Sequence, residues 1–332
     1  MKYICIIPGS IDIKEFAKHI DPSEYKNVTN VEELKKVDYL EFTYERLRVP
    51  EIDKILYKTK TKYSHSFILK NGIEIKSTLH TIVLKKSRTF FDKYYLPQYD
   101  ISLSNLHPLK KLDKNALYIV KPIKSNHGVG NKVFKGTDKI KEYLESHKGT
   151  FFYKSKKNGE NQWIIQKYME NPLLLNGKKF HIRWNVLLAN DKVYMYETGA
   201  VFPAQLKYDP NDMTMKIHDS HGKSSPSEHK CFPNDFFNEP YAKDIYKDIY
   251  DFLKGMKKMG LFDIECYKES EKCFGILGID FMITDKYELK CIEINNLAGF
   301  GSSFPFTPYI VEGLLDLTLY GKTKGKGYFE IN

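Results

Sequence analysis

Two segments near the end of the chain constrain its fold more than any other feature. The segment GIDFMIT is an apolar strand candidate with Asp280 at its centre, and the segment CIEINN contains Glu293. The second segment alternates apolar and polar residues with the period of two that is typical of a β-strand. A tight turn at Lys286 and Tyr287 would join the two as an antiparallel hairpin. Asp280 then lies directly opposite Glu293.

The two faces of this predicted hairpin differ in character. The core face takes five apolar residues, namely Ile279, Phe281, Ile283, Ile292 and Ile294. The other face carries Cys291, Glu293 and Asn295 together with Asp280, and two carboxylates that face each other repel unless a cation lies between them. Carboxylate and amide oxygens suit Mg²⁺. We therefore predict that Asp280, Glu293 and Asn295 bind Mg²⁺, and a solvated pair of surface acids is the alternative.

A lysine and a glycine-containing loop predict a phosphate site elsewhere in the chain. Lys121 ends the strand-like segment ALYIVKPI and precedes SNHGVG, which reads as a hairpin tip with Gly128 and Gly130. Glycine lets backbone N–H groups approach phosphate oxygens closely. The loop matches neither a P-loop nor a dinucleotide fingerprint, so a surface lysine beside a turn would explain it equally well on its own.

Five separated pieces, in one order, resemble the tubulin–tyrosine ligase-like proteins, a branch of the ATP-grasp superfamily. The main pieces are WIIQKYMENPLLLNGKKFHIRWNVLL and GIDFMITDKYELKCIEINN, and the resemblance extends over residues 118–300. It implies an ATP-grasp fold, and the antiparallel sets of strands with helices between them predict the α+β class. We expect an N-terminal α/β domain at 1–77, a central lid domain at 78–166 and a C-terminal domain at 167–332 that carries the Mg²⁺ site.

The resemblance also assigns roles to single residues. Asp280, Glu293 and Asn295 match the Mg²⁺ ligands of the family. Lys121 matches a lysine on the ATP phosphates, and Lys86 matches a second one, with Lys85 as the alternative.

The same comparison places the nucleotide on a hinge strand. The contacts it implies are Gln166, Lys167, Tyr168, Met169, Lys179 and His181, with Gly128, Gly130 and Asp280 beside the phosphates. Arg183 matches an arginine near the reacting carboxylate. Only four of the 52 basic residues are arginines, so an arginine on an apolar strand indicates a fork-like contact with a carboxylate or phosphate. A structural ion pair is the alternative for Arg183.

The activity implied is that of an ATP-dependent amino-acid or peptide ligase. An acceptor carboxylate attacks the γ-phosphate of ATP, and an amino group then displaces phosphate from the acyl phosphate. Arg183, Lys121 and Lys86 would neutralise the charge that moves. The expected cofactors are ATP and Mg²⁺, and the expected partners are a free amino acid and an acidic protein tail, with tubulin as a candidate.

The substrate side departs from the family pattern. His181 stands where relatives usually have an aspartate, Glu197 and Phe202 stand where arginines are expected, and His221 replaces an asparagine. Phenylalanine cannot make the bidentate carboxylate contact of arginine. The resemblance therefore supports the nucleotide chemistry, whereas it does not support tubulin as the acceptor.

Three rival functions remain: a ligase for another peptide or small molecule, a catalytically silent nucleotide-binding interaction protein, and a nucleic-acid binder. The net charge of +10 comes mainly from lysines spread along the chain. No nucleic-acid motif accompanies them, and core packing accounts for the 24 tyrosines and 21 phenylalanines better than base stacking.

Other features predict a soluble cytoplasmic protein without a membrane partner. No apolar run approaches the roughly 18 residues of a membrane span, and the N-terminus lacks the apolar segment of a signal peptide. The five cysteines have no paired spacing, which favours a reducing compartment over a disulfide framework. His218, His221, His229 and Cys231 match no structural zinc site, so a polar substrate loop is the preferred interpretation.

Overall fold

The computed structural model describes residues 1–7, 13–43, 54–56, 58–65, 67–123, 128–147, 162–218, 230–266, 270–296 and 304–332. Within these ranges parallel and antiparallel strands are mixed with helices, which confirms the predicted α+β class. No helix of the described residues is long and apolar enough to cross a membrane.

The N-terminal part of the chain forms a parallel sheet. Its strands are β1 (Lys2–Ile7), β2 (Tyr25–Asn27), β3 (Leu40–Thr43) and β4 (Thr61–Ser64), in the order β2-β1-β3-β4. Helix α1 spans Ile13–Ala17, and a 3₁₀ turn spans Leu34–Lys36. Ile4 and Ile6 pack on one face of the sheet and Cys5 on the other. A parallel sheet covered on both faces needs such a nearly continuous apolar strand.

A second, four-stranded antiparallel sheet forms the centre of the chain. Its order is β6-β9-β7-β8, from β6 (Gln98–Ser102), β7 (Leu117–Pro122), β8 (Lys132–Lys135) and β9 (Gln162–Lys167). Helix α4 (Ile140–Ser146) packs on it through Ile140 and Leu144, and a 3₁₀ turn spans His107–Lys111. The pairing of β7 with β8 is the predicted glycine-containing hairpin.

The C-terminal part of the chain is built mainly from antiparallel strands. They are β10 (Leu174–Leu175), β11 (Lys178–Ala189), β12 (Lys192–Tyr196), β13 (Gly199–Pro203), β14 (Lys230–Phe232), β16 (Ser270–Ile283), β17 (Leu289–Asn296) and β18 (Tyr328–Glu330). The start of β16 also pairs in parallel with β4, so the N-terminal strands and these strands share one twelve-stranded sheet. Strand β5 (Phe67–Leu69) pairs separately with β15 (Ile264–Cys266).

Helices cover both faces of this large sheet. Helix α6 (Ala242–Lys258) buries Ile245, Ile249, Phe252 and Met256, whose spacing of three and four places them on one face. Helix α7 (Thr307–Thr318) packs on the core that includes the N-terminal strands. Short turns at α5 (Met215–His218) and at the 3₁₀ segment Asn234–Phe236 complete the described elements.

Two helices precede Pro97 in the chain. Helix α2 spans Lys76–Lys86 and helix α3 spans Arg88–Tyr94. Ser87 is extended between them, and its hydroxyl accepts the N–H of Phe90 at 3.3 Å as an N-cap. Both helices contribute side chains to the C-terminal core. The domain boundaries at 77/78 and 166/167 stay predictions.

The carboxylate hairpin has the predicted pairing of Asp280 with Glu293. Its turn is longer than predicted, because the Thr284 N–H donates to the Glu288 carbonyl at 3.0 Å and three residues lie between them. Tyr287, the last of the three, has a left-handed φ of 62°. This turn moves the register by one residue relative to a two-residue turn.

A β-bulge moves the register back. Phe281 pairs with Cys291 while Asp280 pairs with Glu293, so Ile292 is the extra residue on β17. The bulge reverses the predicted facing of its neighbours. Cys291 pairs with the core residue Phe281 and is buried in the core, although it also borders a cleft, whereas Ile292 is only partly buried and lines that cleft. The predictions that Ile292 lies on the core face and Cys291 on the polar face are therefore wrong.

The cysteines also differ from expectation. Cys266 and Cys273 form a disulfide, their Cα atoms lying 5.4 Å apart, within the usual range for such a bond. Cys5, Cys231 and Cys291 are buried. The sequence spacing gave no indication of this bond because strand neighbours on β15 and β16, rather than a cysteine motif, bring the two residues together.

Candidate active site

A cleft lies between the central sheet and the C-terminal sheet. Eight of the residues predicted to contact nucleotide line it, namely Lys121, Gln166, Lys167, Tyr168, Met169, Lys179, His181 and Asp280. They come from β7, β9, β11 and β16 and from the chain that follows β9. The fold therefore brings together residues that are far apart in sequence.

The cleft also has apolar walls that sequence reasoning missed. Their residues are Leu96, Ile119, Met215, Met282 and Ile292. An apolar slot with a few polar groups is the common form of a small-molecule site and suits a flat nucleotide base. Ile119 lies two residues before Lys121 on the same strand, so the face alternation of β7 would have identified it.

The paired carboxylates are compensated by cations of the protein itself. Arg183 donates to both oxygens of Asp280, from Nε at 2.8 Å and from Nη2 at 2.7 Å. Lys76 Nζ lies 3.6 Å from Glu293 Oε2. The Asn295 amide donates to Glu293 at 3.1 Å and lies 3.4 Å from Asp280. These two cations satisfy the requirement that the sequence argument had given to a metal ion.

The donor set nevertheless fits a hard divalent cation. Within the described ranges no group of three or more His, Cys, Asp or Glu residues is placed to hold a metal. Magnesium characteristically takes only one or two carboxylates and completes its shell with water and substrate phosphates. Asp280 and Glu293, with the oxygen of Asn295, offer a set of that kind, and their role as ligands stays a prediction.

Arg183 has the ion pair that was the alternative interpretation of this residue. Its bidentate contact with Asp280 follows from strand register, because the two residues are directly opposite on β11 and β16. Its guanidinium also lies 5.8 Å from the centre of the Phe202 ring. The predicted contact with a reacting carboxylate stays a prediction, and it requires the guanidinium to serve a second partner.

Lys121 is held inside the cleft wall. Its side chain is 6% exposed, and Nζ donates to Gln166 Oε1 at 3.0 Å. Burial lowers the pKa of Lys121 to about 8, against the opposing attraction of Glu293 and Asp280. An anionic ligand in the cleft would restore the charged form, so this lysine is suited to a phosphate group.

The second predicted lysine lies elsewhere. Lys86 and its alternative Lys85 are exposed at the C-terminal end of α2. Lys76 begins the same helix and contacts Glu293. Ten residues of helix separate Lys76 from Lys86 by roughly 15 Å along the axis. The geometry thus presents Lys76, rather than Lys86, to the carboxylates.

The hinge strand supplies the other end of the cleft. The backbone N–H groups of Lys167 and Tyr168 donate to Pro97 and Leu117, so these groups serve the fold. Lys179 Nζ donates to the Tyr168 hydroxyl at 2.9 Å and lies 4.3 Å from the centre of its ring. At this end of the cleft, the Lys179 ammonium and the Tyr168 hydroxyl form a buried polar pair between apolar side chains.

The glycines of the β7–β8 turn adopt the conformation that motivated their prediction. Gly128 and Gly130 have φ values of 70° and 76°, in the left-handed region that glycine enters without strain. Asn131, next in the chain, lines the cleft. Residues 124–127 of the predicted loop lie outside the described residues.

The substrate side is aromatic where the family pattern is charged. His181 and Phe202 lie opposite each other on β11 and β13, and their rings stack with centroids 5.0 Å apart. Phe202 also meets Phe304 edge to face at 5.2 Å. Glu197 is exposed.

The predicted histidine loop is described only in part, since His221 and His229 lie outside the described residues. Cys231 is a buried free thiol on β14, and His218 lines the nucleotide cleft. The interpretation of residues 218–231 as a substrate loop stays a prediction.

Comparison with known proteins agrees with this geometry. The family model for the tubulin-tyrosine ligase family matches residues 54–221, which is half of the chain. Tubulin glycylase 3B of Tetrahymena thermophila is 26% identical over 227 residues, covering 63% of this chain and 18% of that protein. The human inactive polyglycylase TTLL10 is 25% identical over 237 residues, covering 62% of this chain and 35% of that protein.

A solved structure extends the likeness to the whole fold. The C-terminal domain of Kluyveromyces lactis Pby1, described as an ATP-grasp enzyme that interacts with the mRNA decapping enzyme Dcp2, has a TM-score of 0.65 at 18% identity. The match covers 100% of this chain and 98% of that domain. The chain spans well under half the length of the two curated relatives above. With an ATP-grasp fold and a family match over half its length, this chain belongs to the tubulin-tyrosine ligase family.

Proposed function

We propose that the chain is an ATP-dependent carboxylate–amine ligase that modifies a protein tail through an acyl-phosphate intermediate. One observation carries the proposal. Asp280, which pairs with Glu293, lines the cleft, and the buried Lys121 lines the same cleft from the central sheet. Positive and negative groups converge where the phosphates of a nucleotide would meet a divalent cation.

The reaction needs no covalent nucleophile from the protein. An oxygen of the acceptor carboxylate attacks the γ-phosphorus of ATP, the bond to the bridging oxygen breaks, and ADP leaves. The amino group of the second substrate then attacks the acyl carbon, phosphate departs, and the amine loses a proton as the amide forms. Positioning of the two substrates and neutralisation of moving charge supply the catalysis.

Three cations of the chain are assigned to this neutralisation. Lys121 would bind the transferred phosphate from the central sheet, and Lys76 would approach it from the start of α2. Arg183 would turn from Asp280 to the acceptor carboxylate or to the acyl phosphate. Mg²⁺, held by Asp280, Glu293 and Asn295, would offset the charge of the ATP phosphates when bound.

The apolar end of the cleft would take the adenine. Ile119, Met169 and Met282 offer flat apolar contacts, and Lys179 offers a hydrogen-bond donor. The hinge backbone beyond Tyr168 would complete the contact with the edge of the base.

The acceptor is proposed from the relatives. The name of tubulin glycylase 3B gives tubulin as the substrate of that relative. An acidic tubulin tail and a free amino acid are therefore the first substrates to test. We propose a cytoplasmic location for this activity, where ATP, Mg²⁺ and such tails are available together. The aromatic pair His181 and Phe202 favours an acceptor or amino acid with an apolar portion over one recognised by a second arginine.

A catalytically silent nucleotide-binding protein is the second candidate. One relative is named an inactive polyglycylase, and Arg183 occupies both oxygens of Asp280. A chain that kept this ion pair with nucleotide bound would bind ATP without turning it over.

The deciding experiment measures ADP release from MgATP with a panel of amino acids, with and without tubulin. ADP that forms only with tubulin and one amino acid supports the proposed ligase and identifies both substrates. ADP that forms equally without tubulin points to another acceptor. ATP binding without ADP under any condition supports the silent protein, and absence of ATP binding overturns both candidates.

Glu293→Gln is the variant that tests the carboxylate pair in this assay. It keeps the shape of the side chain and removes one charge from the carboxylate pair, so we expect turnover to fall by at least about 10²-fold. A denaturant titration checks that the variant remains folded. Turnover close to that of the wild type would remove the carboxylate pair from the mechanism.

A further inference from the structure

A chain of hydrogen bonds runs behind the apolar end of the cleft and joins three separate parts of the sequence. Lys179 Nζ, on β11, lies 2.9 Å from the Tyr168 hydroxyl, which follows β9. That hydroxyl lies 2.6 Å from Nδ1 of His218, the last residue of α5. Nε2 of His218 lies 2.5 Å from the backbone carbonyl of Asp212.

The chemistry at its two ends fixes the direction in which protons are donated along this hydrogen-bond chain. An ammonium group only donates, so the Tyr168 oxygen accepts from Lys179 and has its own proton to give to His218. The Asp212 carbonyl only accepts, so His218 carries its proton on Nε2 and leaves Nδ1 as an acceptor. Each group therefore has a single role when the imidazole is neutral, and burial favours that form by lowering the pKa of His218.

The chain is almost completely enclosed. Tyr168 is 3% exposed, His218 4% and Lys179 5%, and all three side chains line the cleft. A buried polar chain of this kind orders its members only when every link is satisfied. Loss of the His218 acceptor would leave the Tyr168 hydroxyl proton without its partner in the hydrogen-bond chain. The hydroxyl would then turn towards another acceptor, which would disturb the hydrogen bond that it accepts from Lys179.

We propose that His218 is a positioning residue which, through the Tyr168 hydroxyl, holds the Lys179 ammonium towards a nucleotide in the cleft. The proposal rests on the proposed nucleotide site. Its motivation is the hydrogen-bond chain alone, since sequence spacing suggested His218 only as a member of a poor zinc motif. Lys179 and Tyr168 were expected near the nucleotide, whereas the link that connects them to α5 was not.

This arrangement makes nucleotide binding sensitive to acid. Among the described residues, the titratable groups that act on or face His218 are Tyr168, Lys179, Tyr208, Asp209 and Asp212. Burial lowers the pKa of His218 below its ordinary value, the bond to the Asp212 carbonyl opposes this, and the charge of Lys179 adds to it.

Protonation of His218 would break the chain at one link. A proton on Nδ1 removes the acceptor of the Tyr168 hydroxyl and places a second positive charge near Lys179. The link is therefore complete at neutral pH and is lost as the pH falls through the pKa of His218, which burial holds below the ordinary histidine value of about 6.5. Tyr208 also lies beside the Tyr168 hydroxyl, but its own hydroxyl donates to the Glu170 carbonyl at 2.7 Å, so it has no proton to give to Tyr168.

The test is calorimetric titration of the full chain with MgATP at about pH 7.5 and about pH 5.5, on either side of the ordinary histidine pKa. Tyr168→Phe and His218→Leu should each weaken binding at the higher pH by about tenfold, the usual scale for a hydrogen bond to a charged group. His218→Asn keeps an oxygen where Nδ1 accepts, so it should bind within about threefold of the wild type and lose the weakening in acid.

Tyr196→Phe is the matched control. It removes another buried tyrosine hydroxyl, from the core that contains the N-terminal strands, and should leave ATP binding unchanged. If the wild type does not bind MgATP, the proposed nucleotide site itself fails. If the wild type binds and His218→Leu binds equally well at both pH values, the site stands and the positioning role is overturned. Equal acid sensitivity in His218→Asn would likewise overturn it.

Discussion

The proposed nucleotide side and the proposed acceptor side of the site are built on different physical principles. On the nucleotide side, Asp280 and Glu293 are matched by Arg183 and Lys76, and each charge has a partner of opposite sign. On the acceptor side, His181 stacks on Phe202. Under the proposed function, phosphate chemistry would depend on placed charges, whereas recognition of the acceptor would depend on the shape and apolar character of the surface around Phe202.

The strongest expected effect lies on the nucleotide side, at Lys121. Lys121→Met should lower ATP turnover by about 10²-fold because it removes a positive charge from the site of phosphate transfer. The same change should raise the free energy of unfolding at pH 7 by about 1–3 kcal/mol, since the wild type charges a buried lysine at a cost. Denaturant titrations and ADP release measure the two effects separately.

The sign of the pH dependence gives a further check on Lys121. The folded pKa is about 8 and the ordinary value is 10.5. Between these values the unfolded chain binds more protons, so the wild type gains stability as the pH rises, and Lys121→Met should lose that gain. A variant that is less stable than the wild type at pH 7 would show that the bond to Gln166 outweighs the cost of burial.

A smaller effect distinguishes the two ends of helix α2. Lys76→Ala should weaken ATP binding by about tenfold, because it removes a cation beside the phosphate site. Lys86→Ala serves as the matched control and should change binding by less than about twofold, as is usual for an exposed charge. Equal losses in the two variants would restore Lys86 to the site and contradict the geometry of α2.

The smallest effect on ATP is expected on the acceptor side. Phe202→Arg should leave ATP affinity within about threefold of the wild type and shift relative rates towards acidic acceptor peptides, since arginine adds a bidentate carboxylate contact. Phe202→Leu is the control that changes the aromatic ring without adding charge. Unchanged preference across neutral and acidic peptides would place Phe202 outside the acceptor path.

The sequence was most informative where local rules and register were sufficient. The pairing of Asp280 with Glu293 is confirmed, yet it is correct because two departures cancel: a three-residue turn and a bulge at Ile292. A bulge depends on how a strand bends against its neighbours, and alternation in one segment does not contain that information. The same limit explains why Ile292 was assigned to the core.

Which lysine of α2 contacts the carboxylate pair could not be predicted from the sequence, for a different reason. Lys76, Lys85 and Lys86 all lie on α2. Which of them reaches the carboxylate pair depends on which end of the helix packs beside the C-terminal sheet. That placement is set by tertiary packing of Leu79 and Val83. The link from Tyr168 to His218 was inaccessible for the same reason, since it joins segments that are 50 residues apart.

Strand β16 has a mechanical consequence. Its first residues pair with β4 of the N-terminal sheet, and Asp280, further along, pairs with Glu293 in the carboxylate hairpin. About 7–10 residues of continuous strand, roughly 23–33 Å, therefore tie the two regions together. A hinge between them would have to break backbone hydrogen bonds of the shared sheet, so opening and closing of the cleft should fall to the separate four-stranded sheet.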